Sequence, residues 1–409
     1  MQEQALTDAT VAKSAELTKC RRRFLSHILM LFLSINHRIS INHRINFTQL
    51  ARHSGRYCAR WMRLNFEKFT DLAWINLPLI QQHGSGHFIL ALDPTYLPKS
   101  GKKTPGLGRY WSGTAQKALW GVEATLLSVL DVDKHTAWHL DAVQTPGPTE
   151  REAKGISLTD HYAQAVVWQA GNCQQLSGYL AADAYFAKAR FIDRICSSTQ
   201  LQVVSRLRKD ARLRYLYTGP KTGNRSRPRQ YAGRIDLSRP DFEYFTLSHQ
   251  DEQVRVYSAV VNCPFLKRNI KLAYTQYLDE QTSLPTHYKL YFSTDLDLPA
   301  WIIAKYYCLR YQQEFLLRDA KQFTGLADCQ ARSVNKADYH LNASLTAVNA
   351  AKVEHGVSAD QPFSMADAKV LHHNQLLLDM FISILPKGVE VDKNNPDVQQ
   401  LYRFGCKAA

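Results

Sequence analysis

Paired cysteines are what this sequence lacks first. Its eight cysteines (Cys20, Cys58, Cys173, Cys196, Cys263, Cys308, Cys329 and Cys406) are scattered, with no C-x-x-C pair and no clustered histidines beside them. That pattern speaks against a zinc finger and against a disulfide framework, and points to a reducing interior, cytosol or nucleoid. Long hydrophobic runs are also missing. The longest near-continuous apolar stretches, 24–33 and 376–385, fall short of the roughly 20 residues that span a bilayer, and the second contains Asp379. Arg21–Arg23 before the first run imitate a secretion signal, but His37, Arg38, His43 and Arg44 follow where a small-residue cleavage site belongs. Acids are in deficit: 36 Asp and Glu stand against 51 Lys and Arg, a formal charge of +15. With a membrane disfavoured, such an excess is the footprint of a nucleic-acid partner.

What is present is an ordinary folded composition, 45% hydrophobic over 409 residues, enough for two or three domains. Residues 1–80 read as a helical DNA-binding domain. Within them SINHRI (34–39) repeats at once as SINHRI (40–45), a local duplication in a linker to which no function is attached. The stretch 46–66, NFTQLARHSGRYCARWMRLNF, has the form of a helix-turn-helix. Its first helix is expected to end at Ser54-Gly55, and its second to carry Arg56, Arg60 and Arg63 on one basic face, with Trp61 and Leu64 packing inward. A plain helical hairpin with a basic surface is the other reading.

From His87 the texture becomes α/β. HFILALDPT (87–95) reads as a buried strand ended by Asp93-Pro94. The lysine- and glycine-rich loop KSGKKTPGLGRYW (99–111) lacks nucleotide P-loop spacing. Its Lys99 and Lys102 suit a phosphate backbone or simply an exposed loop. Strands over 122–130 and 137–143, a helix over 152–168, the strand GYLAADAYF (178–186) with its acid Asp183, a helix near 187–196 and the strand QVVSRL (202–207) with Arg206 complete the order β-β-β-α-β-α-β. That order resembles a ribonuclease-H-like core, a mixed five-stranded sheet with helices, whose first and fourth strands are neighbours. Asp93 and Asp183 are thus expected to converge across 90 residues of sequence. The strongly basic, tyrosine-studded residues 208–290 read as a β-rich insertion suited to phosphate contact and base stacking, and 291–355 as the second part of the core. Residues 356–409 are expected to be helical with a polar tail, and a possible dimerisation element.

The stretch YCLRYQQEFLLRDAK (307–321) draws these pieces together. On a continuous helix, at about 100° per residue, Tyr307, Arg310, Glu314 and Lys321 share an arc of about 60°, and Arg318 projects beside them. Read alone this is a solvated face with charge pairs at helical spacing. Read with Asp93 and Asp183 it supplies Glu314 as a third carboxylate. Two-metal phosphoryl transfer needs such a cluster, with hard oxygen ligands for Mg²⁺. Arg310 and Lys321 then face the substrate phosphates, and Tyr307 offers a hydrogen bond to a phosphate oxygen.

The spacing Y-x2-R-x3-E-x6-K, matched by Tyr307, Arg310, Glu314 and Lys321, resembles the signature of the insertion-sequence-four family of bacterial DDE transposases. Asp93 in LDPTY and Asp183 in ADAYF resemble that family's first and second catalytic aspartates. The resemblance implies a transposase that binds terminal inverted repeats in double-stranded DNA as a homodimer. It implies nicking with two Mg²⁺ ions (Mn²⁺ as a substitute), and use of the freed 3′-OH for hairpin formation and strand transfer to target DNA. One departure stands out. Relatives that cut through a hairpin hold the flipped base on a Trp in the insertion, whereas this chain has no Trp between Asp183 and Trp301. That leaves Tyr244, Phe245, Tyr257 or Tyr274 for the part. The alternatives are a metal-dependent nuclease or resolvase of the same fold, and a non-catalytic DNA-binding relic.

Overall fold

The computed structural model describes residues 18–36, 44–68, 70–220, 228–279, 281–358, 360, 363–386 and 388–407. Most of the tandem hexapeptide, with His37, Arg38 and His43, and the basic stretch 221–227 lie outside the described residues. Among the described residues the chain begins with α1 (Lys19–Ser34), α2 (Phe47–Ser54), α3 (Ala59–Glu67) and α4 (Ala73–His83). Strands β1 (Phe88–Pro98), β2 (Gly108–Ser112), β3 (Lys117–Asp131) and β4 (Thr136–Gln144) follow. Next come α5 (Pro148–Ala153), α6 (Leu158–Trp168), α7 (Ala170–Gln174), β5 (Tyr179–Ala182), α8 (Ala189–Ser198) and β6 (Gln202–Leu207). The expected β-rich stretch holds β7 (Arg214–Leu216), β8 (Tyr231–Arg234), β9 (Thr246–Gln250), β10 (Val254–Cys263), β11 (Arg268–Leu278) and β12 (Pro285–Ser293). Helices α9 (Ala300–Leu309), α10 (Gln312–Phe323), α11 (Val334–His355), α12 (Met365–Ser383) and α13 (Pro396–Tyr402) close the chain. Among the described residues no helix is long and apolar enough to cross a membrane.

These elements form two compact units. One comprises residues 87–93 and 156–311. It holds a large mixed sheet, consistent with a ribonuclease-H-like core. Residues 88–93 of β1 run parallel to β5, with Leu90, Ala91 and Leu92 opposite Leu180, Ala181 and Ala182. Strand β5 runs parallel to β6. The run FILAL in β1 and LAA in β5 is buried throughout, the reading expected of parallel strands covered on both faces. Beyond β6 the pairing turns antiparallel, through β12, β11 and β10, with β7 and β9 both on β10 and β8 on β7. The strands after residue 208 therefore extend the sheet of the α/β core, since β12 pairs directly with β6.

The other unit comprises residues 1–86, 94–155 and 312–409. Its strands β2, β3 and β4 form an antiparallel meander. At Gly121 a Cβ would stand 2.4 Å from the Leu97 carbonyl oxygen, so only glycine allows that approach. Helix α11 covers β4 through a buried polar ladder. The Asn349 amide accepts from the His139 N–H at 2.9 Å and donates to the His139 carbonyl at 2.7 Å and to the Asn76 side chain at 3.0 Å. Phe24 of α1 stacks edge-on against Trp61 and Phe66 of α3, and lies near Tyr339 of α11. Helices α1, α3 and α11 thus share one core.

Several expectations are corrected. Strand β1 does not stop at Asp93-Pro94 but runs on to Pro98. The helix expected over 152–168 is two, because Gly155 adopts φ +62° and Ser157 starts α6 with a capping box. The second helix of the hairpin begins at Ala59, which leaves Arg56 in the preceding turn. Its buried face is Met62, Asn65 and Phe66, while Leu64 is 56% exposed. The stretch 307–321 is not one helix. The N–H groups of Arg310 and Tyr311 bond to the carbonyls three residues back, at Tyr307 and Cys308, tightening and ending α9 before α10 starts. The supposed polar tail contains α13, started by an Asn395 cap ahead of Pro396 and held to α12 by the Asn374 amide on the Tyr402 and Phe404 carbonyls.

Candidate active site

Two carboxylates lie where the parallel pairing of β1 with β5 ends. Leu92 of β1 pairs with Ala182 of β5, and the next residue on each is an aspartate, Asp93 and Asp183, both half-buried. Asp183 leaves the strand with extended backbone and starts a 3₁₀ turn over Ala184–Phe186. Its main-chain carbonyl accepts from the Ser205 hydroxyl at 3.1 Å.

The surroundings keep Asp183 ionised. Burial pushes its carboxyl up, but the Ala184 N–H, the Tyr307 hydroxyl and the Arg310 and Arg206 guanidinium groups outweigh burial and hold it below the ordinary carboxylate range. Tyr307 donates to Asp183 Oδ1 at 2.9 Å. Its own hydroxyl is pushed up to about 12, first by burial and then by the Asp183 charge. The Tyr307 ring packs against Tyr291 at 4.9 Å between centroids, with the Arg206 and Arg310 guanidinium carbons 6.0 and 5.9 Å from its centre. Arg310 also reaches Asp93, with Nη1 3.6 Å from Oδ2. One unit therefore brings together Asp93, Asp183, Arg206, Tyr307 and Arg310. The hydroxyl expected on a phosphate here serves the carboxylate.

Sequence reasoning missed Tyr291 and Ser205. Tyr291 stands directly opposite Arg206 across the β6–β12 pair, a register that strand alternation alone does not reveal. Ser205 precedes Arg206 in a strand already identified, so its neighbour carried the signal.

The expected cations Arg56, Arg60, Arg63, Lys99, Lys102, Arg318 and Lys321, and Glu314, belong to the other unit. Glu314 is exposed in the first turn of α10. Lys321, near the end of that helix, donates to the Thr95 hydroxyl at 2.7 Å. Lys99 is a brace: its ammonium donates to the carbonyls of Ala327 and Cys329, each at 2.7 Å, and burial lowers its pKa. Lys102 is exposed and lines a basic cavity of about 830 Å³ with Arg44, Lys103, Arg332 and Trp120. Arg318 turns to its neighbour Asp319, at 3.0 Å. Arg56, Arg60 and Arg63 are all exposed, Arg56 over the Tyr57 ring and Arg63 over Phe47. Of the aromatics considered for a flipped base, Tyr274 and Phe245 are core residues, whereas Tyr244 is 42% exposed and stacks on Tyr215.

A family model described as DDE superfamily endonuclease matches residues 42–255, just over half of the chain. The match takes in Asp93, Asp183 and Arg206 and ends before Tyr307. No curated protein matches the chain. With that extent of match the chain belongs to the DDE superfamily endonucleases.

Proposed function

We propose that the protein is an insertion-sequence DNA transposase of the insertion-sequence-four type, which cuts at terminal inverted repeats and joins the freed ends to target DNA. The observation that carries this reading is the Asp93–Asp183 pair, flanked by Arg310, Arg206 and Tyr307. The donor set fits a hard divalent cation: both side chains offer carboxylate oxygens, and Asp183 is held ionised by its neighbours. Two Mg²⁺ ions, when bound, supply activation of the attacking water or 3′-hydroxyl and stabilisation of the leaving oxygen. Asp93 and Asp183 hold them, and Tyr307 and the Ala184 N–H keep Asp183 in one orientation. Glu314 is the proposed third carboxylate, from its place in the Tyr-Arg-Glu-Lys spacing. Arg310, Arg206 and Lys321 balance the charge of the scissile and neighbouring phosphates.

DNA binding rests on charge. Arg56, Arg60 and Arg63 on the N-terminal helical hairpin, and Lys102 in the basic cavity, present exposed cations for phosphates. A homodimer bridging two element ends completes the proposal.

The test is an incubation of the protein, Mg²⁺, a duplex carrying the element's ends and a supercoiled target plasmid. The transposase reading expects 3′-OH release at the ends followed by covalent joining to the plasmid. Cleavage without joining would instead favour a nuclease or resolvase, and DNA binding without cleavage a catalytically inert relic.

A further inference from the structure

We propose a second metal site, specific for a transition-metal dication such as Zn²⁺, formed by Glu354, His355 and His372. Glu354 and His355 are the last two residues of α11, and His372 lies on α12. One ligand atom from each lies within 4.8 Å of the others. His372 Nε2 stands 3.2 Å from Glu354 Oε2, and the His355 and His372 rings cross at 88° with centroids 5.6 Å apart. Around a tetrahedral Zn²⁺ with bonds near 2.0–2.1 Å, neighbouring donors sit roughly 3.3–3.4 Å apart. One pair is already at that spacing, and the third donor lies within 4.8 Å of both.

Consecutive helical residues point about 100° apart and do not ordinarily face a common partner. Here both converge on His372. An ion pair between Glu354 and His372 alone accounts for their contact but not for the approach of His355. The site is also graded in burial. His372 is 3% exposed and Glu354 22%, while His355 is exposed and lines a cavity of about 350 Å³ with Gly356, Ser358, Phe363, Ser364 and Asp367.

Two imidazoles and one carboxylate form a borderline donor set, which favours zinc, cobalt or nickel over magnesium. The site is therefore separable by chemistry from the all-oxygen pair Asp93 and Asp183. Its effect is structural: it ties α11 to α12, and α12 holds α1 through the Lys369 ammonium on the Phe32 carbonyl and His373 on the Ser34 carbonyl.

Titration of the chelator-stripped full-length protein with Co²⁺ tests this, followed by displacement with Zn²⁺. The expected result is the visible absorption of four-coordinate Co²⁺ saturating at one equivalent, with a rise of several degrees in the melting temperature on adding Zn²⁺. Both must survive in the doubly substituted Asp93→Asn, Asp183→Asn protein and disappear in His355→Ala. Because His355 is exposed, that variant folds, which circular dichroism checks. No absorption in wild type, an unchanged spectrum in His355→Ala, or loss of the spectrum in the double aspartate variant would each overturn the proposal.

Discussion

The hydroxyl of Tyr307 donates to Oδ1 of Asp183 at 2.9 Å, tying a helix that follows the β-rich stretch to a strand end 124 residues earlier. Removing that donor leaves Asp183 with fewer hydrogen bonds and a freer orientation. Tyr307→Phe is expected to lower metal affinity or activity by about 10–100-fold, the usual cost of losing a group that orients a metal ligand. Nicking rates measured across a Mg²⁺ titration check this, with the half-saturating concentration moving upward.

Arg310 acts on both aspartates, at 3.6 Å from Asp93 and through its charge on Asp183. Arg310→Ala should reduce single-turnover cleavage by about 10²–10³-fold. Arg310→Lys restores the charge but not the planar fork, and rescue is expected to be partial. Removing the cation also raises the Asp183 pKa. The acid limb of the pH–rate profile should therefore move to higher pH in the alanine variant.

The aspartate pair was legible because each acid ends a short apolar run, in LALDP and LAADA, and strand order alone brought the runs side by side. Less legible was the break at Arg310–Tyr311. The residues from 307 to 321 read as one helix by pattern, and neither Gly nor Pro marks the interruption. Pattern also put Leu64 inside and α13 in a tail. The first position is decided by which helices cover α3, and the second by docking onto α12, both long-range facts. Tyr291 stayed hidden for the same reason, since its role follows from the β6–β12 register.

Asp338 on α11 provides a pH-dependent test of the core. Burial pushes its carboxyl up to about 7, opposed by the Gln144 N–H and reinforced by Asp141. Its unfolded pKa is about 3.9, so between about pH 4 and 7 the folded protein binds the extra proton. Stability should consequently fall as pH rises through that window. Asp338→Asn is expected to flatten this dependence and to gain on the order of 1–3 kcal/mol above pH 7, measurable by urea denaturation at several pH values.

Asn349 is fully buried and holds three hydrogen bonds between α11, β4 and α4. Asn349→Ala leaves the His139 N–H and carbonyl and the Asn76 oxygen without that partner. A loss of about 2–4 kcal/mol follows from the cost of burying such groups unpaired. Urea midpoints compared at constant slope would measure it.

The most direct measurement is Mg²⁺-dependent nicking of end-bearing duplex DNA by wild type, Asp93→Asn and Asp183→Asn, with gel-shift binding followed in parallel. Asparagine keeps the shape and removes the charge. The account predicts that wild type releases 3′-OH ends only with Mg²⁺ or Mn²⁺, and that each variant binds DNA as wild type does while losing cleavage by at least about 10³-fold, as expected when a metal ligand of the reaction is lost. Equal nicking by wild type and either variant would contradict it.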